Sequence, residues 1–157
     1  MSPPPSPAGE GGGAERSEAG VGEVRFKEYA MPDYTVLIVE DNPKNLKLMR
    51  DLMRVQGYQT LEAADGLIGL DMALQHRPDL ILMDIQLPGI DGYEVTRRLK
   101  AQEETKHIPI IAVTSFAMKG EEDRAREAGC DAYVSKPIDI RKLVETVQRF
   151  LNAKDAK

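Results

Sequence analysis

Pro78-Asp79-Leu80-Ile81-Leu82-Met83-Asp84-Ile85-Gln86-Leu87-Pro88-Gly89 is the stretch on which the reading of this 157-residue chain turns. Four apolar residues run together, a carboxylate follows, and Pro-Gly closes the segment. A short continuous apolar run bounded by turn residues suits a strand buried on both faces, as in a parallel sheet. Asp84 then stands where that strand ends. In open α/β sheets ligands bind beyond the carboxyl ends of the strands, so a carboxylate there is a candidate for chemistry. A plainer role is open at this point: an Asp ending a strand can bond nearby backbone amides.

Outward from that stretch, strand and helix patterns alternate. Tyr34 to Val39 reads as a buried strand ending at Glu40-Asp41. Asn42-Pro43 then supplies an N-cap and a proline at the first helical position. Leu46, Met49, Leu52 and Met53 follow as an apolar stripe at helical spacing, and Gly57 ends that helix. Tyr58 to Ala63 is a second strand, and Asp65-Gly66 opens a helix carrying Leu67, Leu70, Ala73 and Leu74. Beyond the opening stretch, Tyr93 to Ala101 is helical with Val95 and Leu99 inward. Pro109 to Val113 is the fourth strand, and Thr114-Ser115 follows it. Met118 to Ala128 is a charged helix ending at Gly129, read as solvated, and Asp131 to Ser135 is a fifth strand before Lys136-Pro137. Asp139 caps a last helix with Ile140, Leu143, Val144, Val147 and Leu151 on its apolar face. Five strand–helix pairs in strict alternation imply parallel strands joined by right-handed crossovers. The expected fold is a flavodoxin-like α/β three-layer sandwich, (βα)5, with sheet order 2-1-3-4-5.

Domain limits follow from composition. Residues 1–33 hold Pro3, Pro4, Pro5, Pro7, Gly9 and Gly11 to Gly13 and few large apolar side chains, so they are expected to be a disordered extension. Met31 is expected to be the native start, with the residues before it a matter of start-site choice. Residues 34–152 form one domain and 153–157 a short polar tail. Lys+Arg number 21 against 26 Asp+Glu, a net charge of −5, which argues against broad attraction to nucleic acid or anionic membrane. No apolar run approaches the ~20 residues that span a bilayer. The single Cys130 excludes an internal disulfide and a multi-cysteine metal cage. A cytoplasmic protein is expected. His76 and His107 stand alone and read as surface residues.

The residues that follow each strand carry the chemistry. Strand one ends in Glu40 and Asp41, strand three in Asp84, strand four in Thr114 and strand five in Lys136. Each has a plain explanation: acids before Asn-Pro support a helix N-terminus, Thr-Ser can cap a helix, and Lys-Pro can turn. Their convergence on one sheet edge favours a single site. Clustered carboxylates raise one another's pKa unless a cation sits among them. Hard oxygen ligands with room for waters suit Mg²⁺, which commonly accompanies a phosphate-bearing partner. An ammonium and a hydroxyl can hold phosphate oxygens, and an Asp carboxylate can act as nucleophile and form an acyl phosphate. The set meets the needs of in-line phosphoryl transfer to Asp84.

Residues 34 to about 152 resemble the receiver domain of two-component response regulators. The likeness rests on Val36-Leu37-Ile38-Val39-Glu40-Asp41-Asn42, on Leu82-Met83-Asp84-Ile85-Gln86-Leu87-Pro88-Gly89-Ile90-Asp91-Gly92, on Val113-Thr114-Ser115 and on Tyr133-Val134-Ser135-Lys136-Pro137. It implies Asp84 as phospho-acceptor, Glu40 and Asp41 as the metal-binding acids, and a further ligand from the backbone carbonyl of Gln86. It implies that Thr114 and Lys136 contact the phosphoryl group, that Lys136-Pro137 is a cis peptide, and that Tyr133 is the aromatic switch acting with Thr114. Ser115 stands where the family often has a smaller Ala or Gly, which narrows the site. Asp84-Ile85-Gln86-Leu87-Pro88 and Phe116-Ala117-Met118-Lys119-Gly120 look closest to single-domain regulators of the DivK kind, and receivers of hybrid histidine kinases carry similar wording.

The resemblance implies a histidine kinase or histidine phosphotransfer protein as donor. It implies a downstream protein that reads the face of the fourth helix, fifth strand and fifth helix. No DNA-binding segment follows Leu151 and the chain is acidic, so direct nucleic-acid contact is not expected; the net charge and the lack of a long apolar run likewise argue against membrane contact. Two other functions fit parts of the pattern. A phosphorylation-independent, receiver-like binding module would usually have lost Asp84, Lys136 or the acid pair. An aspartyl-phosphate phosphatase of the haloacid dehalogenase type would want a second Asp two positions after the nucleophile, where this chain has Gln86.

Overall fold

The computed structural model describes residues 33–115 and 120–155. The N-terminal extension up to Pro32 with Met31, the Phe116–Lys119 segment and the last two residues of the tail lie outside the described residues. Among the described residues, strands β1 (Thr35–Val39), β2 (Gln59–Ala63), β3 (Leu80–Asp84), β4 (Ile110–Thr114) and β5 (Ala132–Ser135) alternate with helices. The helices are α1 (Pro43–Val55), α2 (Gly66–His76), α3 (Gly92–Lys100), α4 (Glu121–Ala128) and α5 (Ile140–Asp155). The strands are parallel in the order β2-β1-β3-β4-β5, the flavodoxin-like arrangement expected from the alternation.

Period-2 alternation sorts the strand residues between two layers of helices. Val36, Ile38, Leu80, Leu82, Ile111 and Val113 pack with Met49 and Met53 of α1 and Leu143, Val147 and Leu151 of α5. Leu37, Val39, Ile81, Met83, Ile110 and Ala112 pack on the opposite face with residues of α2, α3 and α4. Every residue of β3 is buried, which is why its sequence is an unbroken apolar run rather than an alternating one. Register then sets the depth of each strand end. Val39 pairs with Met83, Asp84 with Val113, and Thr114 with Ser135. Glu40 therefore follows its strand level with Asp84, while Thr114 falls one residue further on and Lys136 two.

The helix starts follow the expected capping chemistry. The Asn42 side chain accepts from the amides of Lys44 and Asn45, Asp65 from that of Ile68, and Asp91 from that of Glu94. Two details of the loop after β3 require glycine. Gly89 turns the chain at φ +79°, in the left-handed region. At Gly92 a Cβ would lie 2.3 Å from the backbone oxygen of Asp84, so α3 can start directly against the strand end only without a side chain.

Of the apolar residues that the second helix carries, Leu67 is 58% exposed, and the buried face of α2 is Gly66, Gly69 and Ala73. A Cβ on Gly69 would sit 2.8 Å from Val39, so the helix rides on β1 along its glycines and turns Leu67 out. Two expectations need correcting. Ile140, counted on the apolar face of the last helix, is 52% exposed at the first residue of α5, before the helix packs on the sheet. The helix also runs past Asn152 to Asp155, held by the Lys154 Nζ bond to Asp79 Oδ1 at 2.9 Å. His76 and His107 are exposed, as expected. No helix of the described residues is long and apolar enough to cross a membrane.

Candidate functional site

The ends of β1, β3 and β5 bring two carboxylates and an ammonium together. Glu40 is 0% and Asp84 1% exposed, and the Lys136 ammonium reaches both: Nζ lies 3.0 Å from Glu40 Oε1 and 3.4 Å from Asp84 Oδ2. Asp41, the next residue along, is exposed at the rim. One carboxylate oxygen from each of Glu40, Asp41 and Asp84 lies within 4.8 Å of the other two. Backbone donors hold the remaining oxygens in place. The Asn42 amide donates to Glu40 Oε2 at 3.0 Å, and the Gln86 amide donates to Asp84 Oδ1 at 3.1 Å.

This cluster is electrostatically incomplete. Two buried carboxylates face one ammonium, and burying charge without full pairing is costly. The Asp84 carboxyl is accordingly pushed up to about 7, first by burial and next by the charge of Glu40, with Lys136 and the Gln86 amide pulling the other way. Glu40 Oε1 is buried and receives no hydrogen bond; Lys136 approaches it as a charge, off the hydrogen-bond directions. A buried acceptor without a donor, beside two further carboxylate oxygens, is what a small divalent cation would satisfy. Hard oxygen donors with one ligand at the solvent rim fit Mg²⁺ with waters in its remaining positions.

Around the cluster stand the other residues expected from the sequence. Thr114 is the buried last residue of β4, and its carbonyl accepts from the Lys136 amide at 2.7 Å, tying the ends of β4 and β5. The Lys136-Pro137 peptide is cis. Gln86 is exposed, and its side-chain oxygen accepts from the Ser115 amide at 3.3 Å. Tyr133 is half-buried on β5; burial first, then the charges of Glu121 and Glu122, push its hydroxyl's pKa up.

Comparison with known proteins identifies the arrangement. Residues 36–148 match the response regulator receiver domain. The chain belongs to the receiver family of response regulators. Over 117 residues, 74% of this chain and 95% of the relative, it is 56% identical to the polar-differentiation response regulator DivK of Brucella anthropi, a level shared by the Brucella ovis protein of the same name. It is similar in structure to the receiver domain of the sensor histidine kinase PA1611 from Pseudomonas aeruginosa PAO1 (TM-score 0.72, 37% identity, 77% of this chain and 99% of that one). That structure has a magnesium ion coordinated in the active site cleft. A CheY-like receiver domain protein from Methanospirillum hungatei matches at TM-score 0.73 and 27% identity, over 80% of this chain and 98% of that one. The chain is thus a DivK-like receiver of a two-component system, a signalling domain rather than a conventional enzyme.

Sequence reasoning misread one part of the receiver. The charged run of the fourth helix reads as solvated, yet Glu121 is only 6% exposed and its carboxylate accepts from the buried Tyr93 hydroxyl. Arg124 lies 5.1 Å above the Tyr93 ring. The only hint in the sequence is a tyrosine, rather than an aliphatic residue, at the start of the third helix.

Proposed function

We propose that this chain is a single-domain response regulator that accepts a phosphoryl group on Asp84 from a phosphohistidine of a histidine kinase or phosphotransfer protein. One observation carries the reading: Glu40 and Asp84 are both buried, with a single lysine between their two carboxylates. Such an arrangement is poorly stabilised by itself and is made whole by a cation and a phosphoryl group. Glu40, Asp41, Asp84 and the backbone carbonyl of Gln86 would hold Mg²⁺, which when bound neutralises charge on the transferring phosphoryl oxygens.

The chain's own groups do the rest. An Asp84 carboxylate oxygen attacks phosphorus in line. The new O–P bond forms as the donor's N–P bond breaks, and the bonding pair leaves with the imidazole nitrogen, which takes a proton. Lys136 holds a phosphoryl oxygen by its charge and Thr114 holds another by its hydroxyl. The Gln86 amide keeps Asp84 aimed, so little reorganisation is needed at the moment of transfer. The domain catalyses only its own phosphorylation and dephosphorylation. Thr114 moving toward the phosphoryl group draws the loop after β4, Tyr133 turns inward, and the face of α4, β5 and α5 changes for a downstream protein to read. Neither nucleic acid nor membrane is a direct partner in this reading. A cytoplasmic setting goes with it.

The test is incubation with acetyl phosphate and Mg²⁺ followed by intact-mass analysis. One added phosphate on native protein, absent from Asp84→Asn and absent with chelator, is the expected result. No added phosphate would leave a phosphorylation-independent binding module as the better reading. Steady phosphate release over many cycles from unrelated phosphoesters would favour a phosphatase.

A further inference from the structure

We propose that Tyr93 and Glu121 form a latch that holds α4 in its resting position and so opposes activation of the phospho-acceptor site. The proposal rests on the receiver reading above.

The latch joins the two segments that the site would have to move relative to each other. Tyr93 follows Gly92, whose amide donates to the Ile85 carbonyl at 3.0 Å and whose missing side chain lets α3 start against Asp84. Tyr93 is therefore fixed to the strand end that carries the acceptor. Glu121 is the first residue of α4, and only residues 115–120 separate it from Thr114. The Tyr93 hydroxyl donates to the Glu121 carboxylate, and its oxygen also lies 3.4 Å from the Glu121 carbonyl oxygen. Arg124, one turn on, covers the Tyr93 ring and stands 3.7 Å from Glu121 Oε2.

Among the described residues, the start of α4 lacks the side-chain cap that the other helices have. The N-caps of α1, α2 and α3 are side-chain bonds from Asn42, Asp65 and Asp91, and the Asp139 side chain accepts from the Lys142 amide at the start of α5. At α4 the cap is Gly120, with no side-chain bond. A carboxylate at a helix start is ordinarily placed in water or on its own helix's amides. Glu121 is instead buried against another helix, at the desolvation cost that such a placement carries. Tyr133, half-buried on β5, feels the charge of Glu121. A contact made only in the resting arrangement lowers the population of the active one, and with it the apparent affinity for anything that binds the active one.

Beryllofluoride with Mg²⁺, a stable mimic of the acyl phosphate, tests this. Its binding is followed by fluorine NMR, and amide hydrogen exchange is read on the same samples. The variants are Tyr93→Phe, which removes the donor, and Tyr93→Phe/Glu121→Leu, which removes both partners and leaves no unpaired buried charge. Exchange of the α4 amides in the resting protein should quicken in both variants while that of α5 stays as in native protein. Beryllofluoride should bind both about tenfold more tightly, the ratio expected for one charge-assisted hydrogen bond. Native protein that binds while both variants bind within twofold of it, or more weakly, would overturn the latch and leave the receiver reading standing. Native protein that binds no beryllofluoride would overturn the receiver reading and the latch with it.

Discussion

Asp84→Asn should stabilise the protein in the presence of chelator, and should do so only above acid pH. In the fold the Asp84 carboxyl sits at about 7 rather than its ordinary 3.8, because burial and Glu40 both disfavour its charge. Its ionised form is therefore worse off folded than unfolded. The folded pKa is raised, so the cost is absent below about pH 4, grows as the pH rises toward 7, and is complete above it. At 1.36 kcal/mol per pH unit, the gap between 3.8 and about 7 sets a ceiling of about 4 kcal/mol on that cost. Asparagine removes the charge but also gives up the approach of Lys136 at 3.4 Å, which offsets part of the gain. The expected gain is about 2 kcal/mol at pH 8, shrinking toward zero at pH 4. Urea unfolding of both proteins at several pH values, with chelator, measures it. Millimolar Mg²⁺ should stabilise native protein far more than the variant, since ligands to the folded state raise stability by mass action. A variant no more stable than native at pH 8, or a gain that does not change with pH, would refute the account of the site as an under-neutralised acid cluster.

Other changes probe the same geometry. Lys136→Met leaves Glu40 and Asp84 buried without their cation; the expected loss is about 3–5 kcal/mol at pH 8 and visibly less at pH 5, where Asp84 can protonate, as read by the same urea titrations. Gly92→Ala puts a methyl 2.3 Å from the Asp84 carbonyl oxygen, so α3 must shift. A loss of about 1–3 kcal/mol by thermal unfolding, together with weaker beryllofluoride binding, is expected. Cys130 is buried with its thiol pushed up to about 11 by burial, so a disulfide reagent at pH 8 should react roughly a hundredfold more slowly with native than with urea-unfolded protein.

Strand order and the meeting of the strand ends were legible because each rests on short-range rules that agree. Val36 to Val39, Leu80 to Met83 and Ile110 to Val113 are runs buried on both faces, and only a parallel sheet covered by helices uses several of them. Once the strands are parallel, whatever follows each lies on one edge, and Glu40, Asp84 and Lys136 come together there. What was not legible depends on distances between helices. Apolar periodicity counts side chains, whereas α2 packs through the residues that lack them, Gly66 and Gly69, and leaves Leu67 exposed. Glu121 is missed for the opposite reason. Its helix reads as a run of charge, and a carboxylate in such a run is buried only if a donor from elsewhere reaches it. That donor, Tyr93, is 28 residues away in sequence and on a different helix. Its approach depends on Gly92 letting α3 begin against Asp84. The close start of α3 that seats the acceptor strand therefore also brings the tyrosine to α4, so a substitution that lifts α3 off Asp84 should loosen both together.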